Sequence, residues 1–336
     1  MPTPPVGFAL LTHGNLPQIQ RLVDRLDALY DGPPIVCHHD FSKSRPDEQA
    51  FARRVEFVRP HVVTRWGTFT LVEATVRAIR RLLQRPDAPE WIVLLSAADY
   101  PVRPADAVVA DLRAGGADAY IDHRVVDASL LDRTDWGTPP ELGYFPGAGP
   151  HNGPLGVRRY IGQNLRIPGV ERVGGRLRYR PWSQGFHRGL YVRGVSERIS
   201  PFHDGFQCYV GSQWFTLGRR AAEYLVQFHE RPPSAVRRHF AWQVVPDESY
   251  VHTVLGNAPG LRLDSNSRRF IDWSGALPRP VTLEALQHPA TLTSEHLPAI
   301  ERSGAHFARK FDLTRSAGLL AALDERLGVR PAAVQP

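Results

Sequence analysis

Short apolar segments alternate with amphipathic helices along the first hundred residues, and this alternation constrains the fold more than any other feature. The apolar segments are 6–12, 35–38 and 91–96, each of strand length. Between them, apolar side chains recur at helical spacing from Pro17 onward and again over 71–83. Parallel strands joined by helices are buried on both faces and are therefore uniformly apolar. The sequence predicts an α/β fold with a Rossmann-like, mostly parallel central sheet flanked by helices.

Polar side chains follow the predicted strands. His13 comes after the first strand, Asp40 after the second, and Asp99 after the strand at 91–96. A short further strand is predicted at 61–64. Ligands of open parallel sheets bind beyond the carboxyl ends of the strands, so these polar side chains are candidates for a binding cleft.

The middle of the chain loses this regularity. Residues 127–206 are rich in glycine, proline, arginine and aromatic residues without clear periodicity, which predicts a long irregular insertion that could wall a substrate cleft. Regular elements are expected again in the last third: a strand at 208–217, a helix through 221–225, a helix starting near 246, a strand at 269–273 and a closing helix at 317–327. We interpret 1–330 as a single domain.

The basic residues are almost all arginine. The chain has 41 Lys and Arg against 34 Asp and Glu, yet its only lysines are Lys43 and Lys310. The formal charge of +7 is compatible with an anionic ligand and, as an alternative, with nucleic acid. Lys310, beside Arg309, could supply a compact point charge or could be an ordinary solvated lysine.

Cysteine content and hydropathy bear on location. Cys37 and Cys208 are far apart in sequence, which argues against a disulfide framework. The early apolar run is too short for a membrane span and lacks the flanks of an export signal. We therefore expect buried, reduced thiols, no membrane span and a cytoplasmic location.

Several familiar nucleotide motifs are missing. The sequence has neither a Gly-x-x-x-x-Gly-Lys-Ser/Thr loop nor a Gly-x-Gly-x-x-Gly fingerprint. No two aspartates are separated by a single residue, although many enzymes that use nucleotide-sugars hold a divalent metal through such a pair. A transferase built on this chain would need another counter-charge for a diphosphate.

The run Pro246-Asp247-Glu248 places two carboxylates at the predicted start of a helix. Amide groups of a first helical turn favour negative charge, so an acid there is expected to stay ionised. An ionised acid in a cleft can act as a general base. The alternative is that both acids only begin the helix, and we regard Asp247 as structural.

Seven blocks of the sequence, taken in order, resemble one family. They are Leu11-Thr12-His13-Gly14-Asn15, His38-His39-Asp40, Trp66-Gly67, Leu94-Leu95-Ser96-Ala97-Ala98-Asp99-Tyr100-Pro101, Gly211-Ser212-Gln213-Trp214-Phe215, Pro246-Asp247-Glu248-Ser249 and Phe307-Ala308-Arg309-Lys310-Phe311-Asp312. They look like the core-2/I-branching β-1,6-N-acetylglucosaminyltransferases, a family that includes peptide O-xylosyltransferases.

The resemblance implies a GT-A-type glycosyltransferase that works without a metal or other cofactor and inverts the anomeric centre. It implies a nucleotide-sugar-binding half at 1–126, an acceptor-side insertion at 127–206 and a catalytic, diphosphate-binding half at 207–330. The donor would be a UDP-sugar carrying N-acetylglucosamine or xylose, and the acceptor a hydroxyl of a glycan or glycosylated small molecule.

Residue roles follow from the same resemblance. Glu248 would be the catalytic base. The nucleotide-sugar would be held by His13, Asp40, Arg269 and Lys310, with the last two neutralising the diphosphate. Asp99 and Trp214 would lie on the acceptor side.

Each role has a structural alternative. Asp40 and Asp99 could cap turns after their strands. Trp214 could be a core aromatic residue. Arg268 competes with Arg269 for the diphosphate. The histidines near residues 13 and 38 could suggest a metal, but no further ligand has suitable spacing.

Two rival functions remain open. One is a peptide or polysaccharide xylosyltransferase. The other is a non-catalytic protein that binds nucleic acid or an anionic polysaccharide through its arginines, and binding of that kind would weaken with salt.

Overall fold

The computed structural model describes residues 4–51, 54–126, 160–161, 170–173, 176–179, 200–232, 234–243, 245–273 and 289–328. Most of the predicted insertion at 127–206 therefore lies outside the described residues. The division of 1–330 into two halves around it stays a prediction.

Strands and helices alternate as expected in the first third of the chain. The strands are β1 (Val6–Thr12), β2 (Ile35–His39), β3 (Val55–Phe57), β4 (Trp91–Ser96), β5 (Asp99–Pro101), β6 (Ala119–Ile121), β7 (Arg124–Val125), β8 (Val170–Val173), β9 (Arg176–Tyr179), β10 (Tyr209–Val210), β11 (Phe215–Gly218), β12 (Leu263–Asp264), β13 (Arg269–Ile271) and β14 (Phe307–Arg309). The helices are α1 (Leu16–Tyr30), α2 (Glu48–Phe51), α3 (Thr70–Leu83), α4 (Ala105–Ala114), α5 (Arg219–Glu230), α6 (Ala235–Phe240), α7 (Tyr250–Gly256), α8 (Leu297–Ser303) and α9 (Ala317–Arg326).

The central sheet confirms the predicted α/β class. Among the described residues it has seven strands in the order β12-β6-β11-β4-β1-β2-β3. Strand β11 runs antiparallel to both of its neighbours, and the other pairings are parallel. The carboxyl ends of six strands and the start of β11 therefore meet at one edge of the sheet.

Both faces of this sheet are covered, which explains why its strands are apolar throughout. Phe8 and Leu10 point into a core shared with α1, α4 and α9, whereas Ala9 points into a second core shared with α3, α5 and α7. This is the alternation that a strand period of two produces.

Two strand predictions were wrong. Residues 61–64 form no strand, because the Val62 N–H donates to His38 Nε2 at 2.9 Å and the Thr64 N–H donates to the Asp40 carboxylate at 2.8 Å. The side chains of His38 and Asp40, at the end of β2, therefore accept the hydrogen bonds from backbone amides that strand pairing would use. Val55–Phe57 pairs with β2 instead.

The second wrong prediction was a continuous strand over 208–217. It is divided into β10 and β11, with 211–214 outside both. Strand β10 leaves the central sheet altogether and pairs with β7.

A second, small sheet was not expected from the sequence. Strands β13, β14 and β5 form it, with β14 in the middle. Its register opposes Arg309 to Asp99 and Phe307 to Arg269. Three segments that are remote in sequence are thereby brought beside the carboxyl end of β4.

A buried ionic network fixes the C-terminal helix against this small sheet. Asp324 on α9 is 2% exposed. It accepts hydrogen bonds from the Tyr100 hydroxyl of β5 and from Arg21, both at 2.7 Å, and it forms an ion pair with Arg25 at 2.8 Å.

No helix within the described residues is long and apolar enough to cross a membrane. Cys37 and Cys208 are both buried and reduced, and burial raises the pKa of each thiol to about 12.

Replacing Asp324 with alanine should destabilise the fold by about 3–5 kcal/mol, because it leaves the guanidinium of Arg25 buried without its counter-charge. Chemical denaturation monitored by circular dichroism measures this loss. The neighbouring Glu325 is exposed, so Glu325→Ala is the matched control and should change stability by less than about 0.5 kcal/mol. Equal losses in the two variants would contradict the proposed role of the network.

Candidate active site

The small sheet lines up charged side chains on one of its faces. Asp99 and Arg309 are opposite each other across β5 and β14, and Arg269 is opposite Phe307 across β13 and β14. Since directly opposed side chains lie on the same face, the two arginines and the aspartate share it. The contacts agree: Arg309 Nε lies 3.7 Å from Asp99 Oδ1, and Arg269 Cζ lies 4.9 Å from the centre of the Phe307 ring.

Arg309 is at the centre of this group. Its guanidinium carbon lies 4.0 Å from the centre of the Trp214 ring, a cation–π distance. Burial lowers the pKa of Arg309, and the negative charges of Asp99 and Glu248 oppose that shift. Arg309 therefore connects two predicted acceptor-side residues with the predicted catalytic base.

The facing atoms in the centre of the group are enclosed by the protein. Asp99 is 1% exposed, and its Oδ2 accepts hydrogen bonds from the backbone and hydroxyl of Ser96. Among the described residues, neither Asp99 Oδ1 nor Arg309 Nε has a hydrogen-bond partner. Buried charged groups are costly unless hydrogen-bonded, so this pair is poised to gain from a further polar partner.

Glu248 is not in the first turn of an α-helix, contrary to the expectation. It ends a single 3₁₀ turn, Pro246–Glu248, and α7 begins two residues later at Tyr250. The side chain is partly exposed, with Oε2 enclosed. The charge of Glu248 opposes the lowering of the Arg309 pKa that burial causes, so the two groups interact.

The structure distinguishes the two neighbouring arginines of β13. Arg268 turns away from the group and forms ion pairs with Asp111 at 2.9 Å and Asp264 at 3.5 Å. Arg269 turns toward it: burial lowers the pKa of Arg269 to about 10, while the charge of Asp99 opposes the shift.

Arg269 is held only loosely by the protein. Its side chain reaches the carbonyls of Leu94 and Phe215 at 3.4 and 3.3 Å, both long for hydrogen bonds. The residue is partly exposed although its Nε is enclosed. Its contact with a diphosphate stays a prediction.

Lys310 lies next to this group but outside its described contacts. Its side chain is exposed. Backbone N–H groups of Arg315 and Thr314 lower the pKa of Asp312, and the charge of Lys310 adds a smaller effect. The ammonium group of Lys310 is therefore accessible to an anion from solvent. Its contact with a diphosphate stays a prediction.

Asp40 holds a loop together and does not present its oxygens outward. It is fully buried. One oxygen accepts from the Ser42 backbone and hydroxyl, and the other from the Thr64 backbone and hydroxyl at 2.8 and 2.7 Å. Burial alone would raise the pKa of Asp40, but these hydrogen bonds hold it well below its usual range. A direct contact with a nucleoside stays a prediction.

His13 is exposed at the same sheet edge, and its carbonyl accepts from the Ser44 hydroxyl at 3.1 Å. His38 and His39 are buried and engaged with the protein, His38 with Val62 and His39 with Thr12 at 2.8 Å. No group of three or more metal-binding side chains occurs within the described residues.

Gly211 joins the Glu248 turn to the central sheet. Its N–H donates to the Glu248 carbonyl at 3.0 Å. A Cβ atom at this position would lie 1.7 Å from the Asp122 carbonyl oxygen and 3.0 Å from His252. Only glycine permits this approach, which explains why the strand predicted over 208–217 is interrupted here.

Arg309 is the residue that sequence reasoning missed. The block Ala308-Arg309-Lys310-Phe311 drew attention to its rare lysine. The signal that could have found it is the two-residue period of a strand. Phe307 is apolar and buried, so Arg309, two residues later, faces the same interior side.

Comparison with known proteins bears on this arrangement. The family model for the core-2/I-branching enzymes matches residues 6–129 and 168–301. The chain belongs to this family. Its α/β fold with a largely parallel sheet is consistent with a GT-A-type glycosyltransferase.

Similar curated proteins are xylosyltransferases. Xylosyltransferase 1 from Homo sapiens is 26% identical over 354 residues, covering 96% of this chain and 31% of the relative. Xylosyltransferase 1 from Canis lupus familiaris is 25% identical over 347 residues, covering 95% and 30%. Xylosyltransferase 2 from Canis lupus familiaris is 26% identical over 357 residues, covering 96% and 34%. The chain spans about a third of the length of these relatives.

Gly211→Ala should damage both stability and the position of Glu248, because the added Cβ overlaps backbone that cannot move aside cheaply. We expect a loss of about 3 kcal/mol or more in the free energy of unfolding. Gly14 is the control: a Cβ there meets nothing within 4 Å, so Gly14→Ala should leave stability nearly unchanged. A Gly211→Ala variant with wild-type stability would contradict the packing described.

Stability should fall on acidification through buried His38. Burial lowers its pKa from 6.5 to about 4, so below pH 6.5 the unfolded chain binds a proton that the folded chain does not. Stability is thus fully present above pH 6.5 and falls toward pH 4 by about 1.4 kcal/mol per pH unit for this group. His38→Gln, which keeps an acceptor for the Val62 N–H, should flatten the dependence by that amount in denaturation at pH 7, 6 and 5. An unchanged slope would show that His38 does not titrate in this way.

Proposed function

We propose that this chain is an inverting, metal-independent glycosyltransferase that moves a sugar from a UDP-sugar to an acceptor hydroxyl, with Glu248 as the general base. The proposal rests on the position of Arg309. Its guanidinium lies between the Asp99 carboxylate and the Trp214 ring, and it interacts electrostatically with Glu248.

The proton step follows from this arrangement. The acceptor oxygen forms a bond to the anomeric carbon from the face opposite the diphosphate, and the bond to the diphosphate breaks, so the configuration inverts. The hydroxyl proton passes to Glu248, and the departing UDP takes the electron pair. A carboxylate that is partly exposed, with an adjacent guanidinium, suits this role because it is accessible and stays close to a balancing charge.

The leaving group requires positive charge. Arg309 and Arg269 lie on one face of the small sheet, and exposed Lys310 follows Arg309 directly. Cations already positioned where negative charge develops stabilise a transition state without reorganisation. We therefore assign to Arg269 and Lys310 the counter-charge that a metal supplies in other enzymes, and we leave Arg309 on the side of Asp99 and Glu248.

Xylose is the favoured donor sugar, with N-acetylglucosamine as the second choice. The similar curated proteins are named xylosyltransferases, and that name is the support for this order. The acceptor is a hydroxyl of a glycan or glycosylated small molecule, and we assign Asp99 to the acceptor side through its ion pair with Arg309.

The rival reading as a non-catalytic binder loses support, because the chain belongs to a family of enzymes. A cytoplasmic location stays a prediction.

Glu248→Gln should keep UDP binding and lose most turnover, because the amide keeps the shape of the side chain but cannot accept the proton. A fall of about 100-fold or more in kcat is expected. Glu223→Gln on the exposed side of α5 is the charge-matched control and should retain activity. Donor turnover and isothermal titration with UDP separate the two effects, and near-wild-type turnover in Glu248→Gln would remove the assignment.

UDP should stabilise the protein in the presence of EDTA as much as in its absence, because the proposed counter-charges are side chains. At 100 times its Kd, a ligand adds about 2.7 kcal/mol of stability. A thermal-shift panel of UDP, UDP-xylose and UDP-N-acetylglucosamine, each with and without chelator, measures this effect. Loss of the shift in EDTA would contradict metal independence.

A further inference from the structure

A second group of charged side chains lies between α3, α5 and α6. Glu73, Arg77 and Arg80 occur at positions i, i+4 and i+7 of α3 and therefore share one helix face. They meet His229 and Glu230 at the end of α5 and Arg237 on α6. Together these residues line a cavity of about 220 Å³.

The charges around this cavity do not cancel. Arg80 pairs with Glu230 at 3.0 Å, and Arg237 pairs with Glu73 at 2.7 Å. Among the described residues Arg77 has no carboxylate within ion-pair distance, and its Nη1 donates only to the Pro60 carbonyl at 3.1 Å. Three guanidiniums thus face two carboxylates, which leaves an excess positive charge in a concave site.

The cavity is connected to both parts of the candidate active site. His229 Nε2 lies 3.3 Å from Glu73, and its Nδ1 lies 3.1 Å from the hydroxyl of Tyr250, two residues after Glu248. On the other side, Arg77 contacts the loop of Pro60, which continues to Thr64 and so to Asp40.

We propose that this cavity is a binding site for a small oxyanion such as inorganic phosphate, with Arg77 and Arg80 as its principal ligands and Arg237 and His229 at its back. The lining supports an anionic ligand: three guanidiniums line the cavity, and among the described residues Arg77 has no carboxylate partner. Guanidinium groups match the paired oxygens of phosphate, as they match carboxylates.

Isothermal titration with sodium phosphate, at constant ionic strength maintained with sodium chloride and with saturating UDP present, tests the proposal. UDP keeps the donor site from contributing, and the readout does not depend on turnover. We expect saturable binding to the wild-type protein. The double variant Arg77→Gln/Arg80→Gln should bind at least about tenfold more weakly.

Arg81→Gln is the matched control, because Arg81 neighbours the site on α3 but pairs with Glu56 and does not line the cavity. It should bind phosphate within about twofold of the wild type. Sulfate should bind like phosphate. Heats that match those of chloride alone, or equal affinity in the double variant, would overturn the proposal. If UDP fails to bind, comparing phosphate binding by the variants still tests the oxyanion site. Failure of the proposed function can therefore be told apart from failure of this proposal.

Discussion

The candidate site depends on one buried ion pair, Arg309 with Asp99. Moving charges out of water costs several kcal/mol each, and such a pair persists only where the fold holds both partners in place. Here the register of β5 against β14 does so, and the Trp214 ring covers the guanidinium. Because the Nε–Oδ1 distance is 3.7 Å and both atoms lack a hydrogen-bond partner among the described residues, the pair is held but not satisfied.

The rest of the structure serves to hold that pair beside Glu248. The small sheet brings Asp99, Arg309 and Arg269 together from three remote parts of the chain. Gly211 attaches the Glu248 turn to the sheet edge through its N–H. Asp324 fixes α9 to Tyr100, the residue after Asp99. Each of these contacts limits the movement of one charged group relative to the others.

Much of the fold was predictable from the sequence because local periodicity determines it. The apolar strands at 6–12 and 91–96 and the helix at 71–83 formed as expected. Periodicity fails where a side chain takes a backbone amide, as His38 and Asp40 do over 61–64. Periodicity also cannot predict strand register. No local signal in the sequence indicates that Asp99 lies opposite Arg309, so the sequence analysis singled out the rare Lys310 and not Arg309. The helix expected at Glu248 proved to be a 3₁₀ turn. The positive charge that interacts with this carboxylate is that of Arg309, from a different segment of the chain.

The chain belongs to the core-2/I-branching enzymes, and the transfer proposed above would give these charges a chemical purpose, since it needs a base on one side of the sugar and positive charge on the other. A crystal structure with bound UDP tests the central claim most directly. The account predicts diphosphate oxygens within about 3.2 Å of the guanidinium of Arg269 or the ammonium of Lys310, with the Glu248 carboxylate facing the space beyond the β-phosphate. A diphosphate bound away from both side chains would contradict it.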